Sequence, residues 1–242
     1  MPLRWISVEV EPSRVVTIPG LIHRTAPKVG PASDGERYFF KRGSVETVVA
    51  EALAYSLAEA VGLSVPLWAL CRMPPDNEIY FASQAVSINS GVDSLIEAGE
   101  TVNPELLEEC IAFDIWTANT DRNAGNIVAS PAIDRQGVVE LFAIDFEQAK
   151  VLNGTDFLTV GSLHSRECWP KGALARSCEH LDFPTSMCRS IEGMTRAALD
   201  SALADIGSDI EFPQVPWLDS AKRQATSRAT RIEALVAEAW NA

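Results

Sequence analysis

Hydrophobic and polar positions change their spacing several times along the chain, and each change predicts a different element. Weak alternation over residues 4–18 predicts one or two strands, and two further strands follow, the second ending on Lys41. From Val45 to Ala60 the apolar residues recur at helical spacing and lie on one predicted face, with Glu51 at its edge. Ser44 is the predicted N-cap and Gly62 the stop. The first part of the chain is therefore predicted to be strand-rich with one helix.

The rest of the chain is predicted to be mainly helical, with hairpins at two places. Two β-type runs flank the turn PPDN, and Asn103 with Pro104 predicts the start of the helix PELLEECIAFDIWTA. The runs NIVAS and GVVELFAID predict a second hairpin, and helical patterns dominate after about residue 155. We predict an α+β fold with an N-terminal lobe over 1–88 and a C-terminal lobe over 89–242.

Short polar side chains are crowded between the helix and the second hairpin. Five of them fall within eight residues, namely Asn119, Asp121, Arg122, Asn123 and Asn126. The last strand of the hairpin ends on Asp145, and the return of the chain brings this acid towards Asn126. A carboxylate and an amide oxygen suit Mg²⁺, and Asp121 is placed to orient a hydroxyl or accept its proton. This pattern predicts phosphoryl transfer, which depends mainly on positioning and charge stabilisation.

A structural interpretation of the same loop stays open. Asn, Asp and Gly are ordinary loop residues, so NTDRNAGN alone is also compatible with a well-capped connection. The loop, the hairpin and the terminal acid together favour the functional interpretation.

Composition narrows the class of protein without identifying a site. The 242 residues are 47% hydrophobic, which is enough for one substantial core or for two lobes that share an interface. The formal charge of −13 disfavours non-specific binding to nucleic acid or to an anionic membrane. A local basic pocket for a phosphorylated ligand stays compatible with that charge, which describes the whole surface and not one cleft. Five cysteines without a C-x-x-C pair predict free thiols, and no apolar run reaches the length of a membrane span. We expect a cytoplasmic protein.

The polar loop and the terminal acid resemble a signature of the HipA-like kinases. The run from Asn119 to Asn126, followed by Ile144-Asp145-Phe146, is similar to the N-x-D-R-H-x-x-N and D-F-G pair of that family and to a signature of phosphatidylinositol 3-/4-kinases. Upstream, DGERYFFKRG and VAEALAYSLAEAVGLSVP resemble the family's strand ending on lysine, its helix with glutamate and its GL-x-VP segment. The resemblance covers roughly residues 20 to 150.

The resemblance implies a two-lobed protein-kinase-like fold that uses ATP and Mg²⁺. Asp121 would be the catalytic base, Asn126 and Asp145 would hold Mg²⁺, and Lys41 would contact the phosphates. Glu51 would pair with Lys41, as a helix glutamate does in protein kinases. Two alternatives stay open, because Glu51 fits a solvated helix charge and Lys41 fits an exposed strand end.

The adenine would lie between the lobes, against backbone near Gln84, Ala85 and Val86. No Gly-rich phosphate loop of standard form is present in the sequence, and the candidate HRTAPKVGP offers Lys28 to a phosphate.

Two positions depart from the family pattern. Asn123 stands where histidine is common, and Glu147 replaces the glycine of D-F-G. The glutamate removes backbone freedom and adds negative charge near the phosphates, which would reduce or abolish activity. Two alternatives stay open, in which Glu147 is an extra metal ligand or a solvated residue.

The leading hypothesis is an ATP-dependent kinase that phosphorylates a Ser or Thr hydroxyl of a protein. One alternative is a pseudokinase that binds nucleotide or a partner without turnover. Another is a phosphoinositide or small-molecule kinase, which the −13 charge disfavours at an anionic lipid surface. A regulatory partner protein is compatible with each hypothesis.

Overall fold

The computed structural model describes residues 28–32, 34–73, 78–86, 104–133, 139–155, 157–172, 174–175, 178, 180–204 and 217–242. Several predicted features lie outside these residues. They are the strands predicted over 4–18, the turn PPDN, the N-cap Asn103 and the lobe boundary at residues 88 and 89. The division into lobes at that boundary stays a prediction.

An antiparallel sheet of four strands forms the N-terminal part. The strands run in the spatial order β1-β2-β4-β3 and are β1 (Lys28–Pro31), β2 (Arg37–Lys41), β3 (Trp68–Met73) and β4 (Glu78–Gln84). Tyr38 and Phe40 are buried on one face of β2. Because side chains alternate along a strand, Lys41 lies on the opposite face. The predicted strand that ends on Lys41 is confirmed.

Helix α1 (Val45–Val61) packs against β3 and β4. Ser44 caps it by accepting the N–H of Thr47, and Gly62 ends it with a left-handed φ of 88°, as the sequence predicts. The predicted single apolar face is wrong, because residues all round the helix are buried while Val45 is 45% exposed. Small alanine side chains allow neighbouring elements to approach α1 from several sides.

Helix α2 (Pro104–Thr117) is the centre of the C-terminal part. The hairpin of β5 (Ile127–Ile133) and β6 (Val139–Ala143) follows a 3₁₀ turn, and it confirms the second predicted hairpin. Within the described residues, the remaining helices are α3 (Phe157–Ser162), α4 (Thr185–Glu192), α5 (Arg196–Ala202), α6 (Leu218–Ala229) and α7 (Ile232–Trp240), with a second 3₁₀ turn at Ser165–Cys168. Helices α4, α6 and α7 pack against α2.

The end of α2 is anchored by polar contacts from α6. Arg228 is buried and its guanidinium donates to the carbonyl groups of Ile115 and Trp116, while the indole N–H of Trp116 donates to the carbonyl of Ala225 at 2.9 Å. Carbonyl groups in the last turn of a helix lack partners within the helix, so Arg228 supplies a donor to the carbonyl of Trp116 and a second donor to that of Ile115, which also accepts the N–H of Ala118. This anchor fixes the point at which the polar loop leaves α2.

One aromatic ring joins the two parts of the fold. Phe146, which follows β6, is fully buried, with ring centroids 5.4 Å from Tyr55 of α1 and 5.2 Å from Phe113 of α2. Both contacts are edge-to-face, a favoured geometry for aromatic pairs. The α+β class with a strand-rich N-terminal lobe and a helical C-terminal lobe is confirmed.

All five cysteines are free, as predicted from their number and spacing, and the structure shows that all five are buried. Among the helices that the structure describes, none is both long and apolar enough to cross a membrane.

Candidate active site

Lys41, at the end of β2, is surrounded by three carboxylates. Its Nζ lies 2.6 Å from Oε1 of Glu51, 2.7 Å from Oδ1 of Asp145 and 3.0 Å from Oε2 of Glu147. These acids come from α1 and from the segment after β6, so the contacts tie the sheet, the helix and the hairpin together. We call Lys41, Glu51, Asp145 and Glu147 the lysine cluster.

Glu51 links this cluster to the backbone beside Asp145. Glu51 is only 1% exposed to solvent. Its Oε1 accepts a hydrogen bond from Nζ of Lys41, and its Oε2 accepts one from the N–H of Phe146 at 3.2 Å. The alternative of a solvated helix charge at Glu51 is therefore wrong. The contact with Lys41 is the one that the family resemblance implies, although the periodicity placed Glu51 at the edge of the apolar face.

Burial and charge act in opposite directions on the pKa values of the cluster. Burial by itself would lower the pKa of Lys41, but Glu51 and Asp145 outweigh it and raise that pKa. Burial also acts to raise the pKa of Asp145, while the ammonium of Lys41 prevails and holds it below its ordinary value. For Glu51 burial is the largest influence and raises the pKa, against the opposing effect of Lys41. At neutral pH Lys41 is charged and Asp145 is ionised.

Asp145 has a left-handed backbone with φ of 60°. Such a conformation costs an L-residue about 1–2 kcal/mol, although Asp tolerates it better than most. Contacts on both sides hold it, because the carbonyl of Ile144 accepts from Arg122 at 2.9 Å and the N–H of Phe146 donates to Glu51. The side chain of Asp145 stays 40% exposed, so its carboxylate is accessible to solvent.

The polar loop is built around the backbone carbonyl of Asp121. This oxygen accepts from Nδ2 of Asn126 at 2.8 Å and from Nδ2 of Asn123 at 2.9 Å. Asn123 also accepts the N–H of Gly125 at 2.9 Å, so it closes the turn at the position where the family commonly has histidine. The loop thereby fixes the backbone of Asp121, and this residue is half-buried.

Asn126 and Asp145 are brought together as the hairpin predicts. The N–H of Ile144 donates to the carbonyl of Asn126 at 3.0 Å, which places the two metal-ligand candidates on neighbouring segments. Because Nδ2 of Asn126 is engaged by Asp121, Oδ1 is the amide atom oriented to bind a cation. One amide oxygen and one ionised carboxylate fit the donor set of Mg²⁺.

A buried ion pair below the loop was missed by the sequence analysis. Nε of Arg122 lies 2.7 Å from Oδ2 of Asp114, and the guanidinium also donates to Oδ1 at 3.0 Å, with both side chains inaccessible to solvent. Nη1 of Arg122 donates to the carbonyl groups of Asn126 and Ile144 at 2.7 and 2.9 Å. One signal was available, because Asp114 is a lone acid within the apolar run CIAFDIWTA.

The remaining candidate residues line the sheet. Lys28 begins β1, and its backbone pairs with that of Phe40 near the end of β2. The side chain of Lys28 is outside the described part of the structure. Gln84 ends β4, and the N–H groups of Ala85 and Val86 donate to the carbonyls of Arg37 and Gln84. An adenine contact at these positions stays a prediction.

A cleft of about 420 Å³ opens beside the lysine cluster. It lies between the start of α1 and the segment after Phe146, and its lining residues are Glu46, Thr47, Glu147, Gln148, Asn153, Gly154 and Thr155. Glu147 belongs to both the cleft and the cluster. That shared position was not foreseen from the sequence, which left Glu147 as either a metal ligand or a solvated residue.

Comparison with solved structures finds the same fold in a kinase. The crystal structure of the Helicobacter pylori proinflammatory kinase CtkA matches with a TM-score of 0.53 and 13% sequence identity, over 89% of this chain and 93% of that chain. No protein-family profile and no curated protein matches the sequence. The likeness establishes a kinase-like fold for this chain.

Proposed function

We propose that this protein is an ATP- and Mg²⁺-dependent phosphotransferase of the HipA-like type, which transfers the γ-phosphate of ATP to a hydroxyl group. The observation that carries the proposal is the ammonium of Lys41 between Glu51 and Asp145, at 2.6 and 2.7 Å. A lysine paired with a helix glutamate and an acid after the hairpin is the arrangement that protein kinases use to hold phosphates and metal. The kinase-like fold supports it.

The chain's own residues would divide the work of binding the nucleotide. Lys41, held charged by its acidic neighbours, would contact the phosphates, and Oδ1 of Asn126 with the carboxylate of Asp145 would hold Mg²⁺. Bound there, the metal supplies positive charge that offsets the charge developing on the phosphates. Lys28 and the backbone of Gln84, Ala85 and Val86 are the proposed contacts for the rest of the nucleotide.

Asp121 is proposed to act on the acceptor. Two asparagine amides fix its backbone carbonyl, so the point from which its side chain extends is held in one place relative to Asn126. There it would orient the attacking hydroxyl and accept the proton that the hydroxyl releases. We propose that the hydroxyl belongs to a Ser or Thr of a protein, and that a regulatory partner protein acts on the kinase.

A second candidate is a pseudokinase that binds nucleotide without turnover. One observation favours it. Oε2 of Glu147 lies 3.0 Å from Nζ of Lys41, at a position where the family has a glycine and therefore no side chain beside the lysine. This candidate predicts nucleotide binding with no phosphorylated product.

The experiment is a transfer assay with γ-labelled ATP and Mg²⁺, scored by autophosphorylation and by a panel of basic and acidic protein acceptors. Replacing Asp121→Asn is expected to lower transfer by about 10²–10⁴-fold, since a positioned base contributes that much. ATP affinity should stay near that of the wild type. The matched control is Asp182→Asn, an exposed acid in the C-terminal part.

Full transfer by the Asp121→Asn variant would remove Asp121 from the chemistry. Tight nucleotide binding by the wild type, with no product on any acceptor, would favour the pseudokinase.

A further inference from the structure

Three carboxylates surround the ammonium group of Lys41. Its Nζ donates hydrogen bonds to Glu51 and Asp145, and the carboxylate of Glu147 lies 3.0 Å away as an ion pair beside the remaining N–H. A phosphate oxygen that binds to Lys41 must therefore take the place of one of these acids. The structure indicates which one.

Glu51 and Asp145 are held in place by other contacts. Glu51 is 1% exposed, and its second oxygen accepts the N–H of Phe146, so moving it would leave a buried donor unpaired. Arg122 and Glu51 hold the backbone on either side of Asp145, and its carboxylate accepts a hydrogen bond from Lys41 at 2.7 Å. Leaving Lys41 would therefore cost either acid a charge-assisted hydrogen bond.

Glu147 is in a different position. Its side chain is 36% exposed and lines the open cleft, and Lys41 is the cation that it contacts among the described residues. Rotation of its side chain into the cleft requires no change in the buried contacts of Glu51 or Phe146. Asp145 is similarly exposed, but Glu147 makes the longest of the three contacts and does not accept one of the two hydrogen bonds that Lys41 donates, so its displacement costs least.

We propose that Glu147 occupies the place of a nucleotide phosphate oxygen on Lys41, and that nucleotide binds by exchanging with this carboxylate. The proposal rests on the proposed function, because it concerns the same phosphate-binding lysine. It makes Glu147 a residue that sets nucleotide affinity, which answers what the glutamate does in place of the family's glycine.

The exchange replaces one anionic acceptor on the ammonium by another. Carboxylate and phosphate oxygens both form charge-assisted hydrogen bonds with lysine, so Lys41 keeps its charge and its full set of acceptors throughout. Part of the binding free energy of the nucleotide is spent on separating Glu147 from Lys41. Removing that contact is therefore expected to tighten nucleotide binding.

The experiment measures the dissociation constant of ATP with Mg²⁺ by titration calorimetry in four proteins. They are the wild type, Glu147→Gln, Glu147→Asp and the control Glu46→Gln. Glu46 is an exposed acid that lines the same cleft from the first turn of α1. Its replacement removes the same charge from the cleft without changing the lysine cluster. Melting of each protein without nucleotide shows whether the fold is kept.

We expect Glu147→Gln to bind ATP about tenfold more tightly than the wild type, a change of about 1.4 kcal/mol. Glu147→Asp keeps the charge but is one methylene shorter, so it loses much of the contact and should also bind more tightly. Glu46→Gln should change the affinity by less than about threefold, because a single exposed charge is screened by solvent and salt.

Three results would overturn the exchange. One is equal ATP affinity in the wild type and Glu147→Gln, and another is weaker binding by that variant. The third is equal tightening by Glu147→Gln and Glu46→Gln with Glu147→Asp unchanged, since that pattern reflects the charge of the cleft alone. Failure of all four folded proteins to bind ATP would instead contradict the proposed function.

Discussion

Replacing Arg122→Met is expected to destabilise the protein strongly, because it leaves a buried carboxylate without its cation. Arg122 and Asp114 are both inaccessible to solvent and are joined by hydrogen bonds of 2.7 and 3.0 Å. The same guanidinium donates to the carbonyl groups of Asn126 and Ile144. Methionine keeps most of the length of the side chain but supplies none of these donors.

The magnitude follows from the burial of the pair. Breaking a buried ion pair by removing one partner costs about 3–5 kcal/mol of unfolding free energy, most of it for the charge left uncompensated. For a chain of this size that loss lowers the melting temperature by about 6–20 °C, at about 2–4 °C per kcal/mol. The additional change Asp114→Asn removes the stranded charge, so the double variant should recover part of the loss.

Denaturant and thermal unfolding of the wild type, Arg122→Met, the double variant and Arg196→Met check this. Arg196 is the matched control, an arginine that is 41% exposed and contacts Asp200 and Asp219 on the surface. Its loss should cost less than about 1 kcal/mol. Equal effects of Arg122→Met and Arg196→Met, or no recovery in the double variant, would refute the assignment of a buried ion pair to the loop.

Four further predictions concern other parts of the structure. Glu51→Gln should lower phosphoryl transfer about tenfold or more, because a hydrogen bond between charged groups is lost, while Glu59→Gln, exposed on the same helix, should leave the rate unchanged in the same assay. Gly62→Ala should lower the unfolding free energy by about 1 kcal/mol in denaturant, because alanine disfavours the φ of 88° although its Cβ would meet no atom within 4 Å. Burial raises the pKa of Cys188 to about 11 and that of Cys71 to about 12, so a thiol reagent should modify the five cysteines only after unfolding. Fast labelling of the native protein would contradict the burial of these thiols. The unfolding free energy should also fall as pH rises above 9.0, since the unfolded chain then loses thiol protons that the folded chain keeps.

Local patterns predicted those parts of the structure that depend on local interactions. The strand ending on Lys41, the cap at Ser44 and the stop at Gly62 follow from alternation and from side-chain or backbone preferences within a few residues. The second hairpin also followed from its two short apolar runs. These features depend little on distant residues, so the sequence was sufficient for them.

Contacts between distant segments could not be predicted in the same way. Glu51 was expected at the edge of one apolar face, and it is buried because α1 is covered on several sides. Arg122 and Asp114 are separated by eight positions, and their pairing depends on how the loop folds back over α2. Glu147 meets Lys41 only because the hairpin returns to the sheet, a tertiary consequence that no local pattern encodes.

We propose that Asp145 and Lys41 belong to a site for a metal nucleotide. Thermal melting of the wild type and Asp145→Ala, each with ATP alone and with ATP and Mg²⁺, tests it directly. A ligand that binds the folded state raises the unfolding free energy by mass action, by about 2.7 kcal/mol when its concentration is one hundred times its dissociation constant. The melting temperature rises with it. Asp200→Ala, which removes an exposed acid distant in sequence from the cluster, is the control.

We expect a Mg²⁺-dependent rise in the melting temperature of the wild type and of Asp200→Ala that is lost in Asp145→Ala. A rise of equal size in Asp145→Ala would contradict the metal assignment. No rise in the wild type at saturating Mg²⁺ and millimolar ATP would contradict the nucleotide site itself.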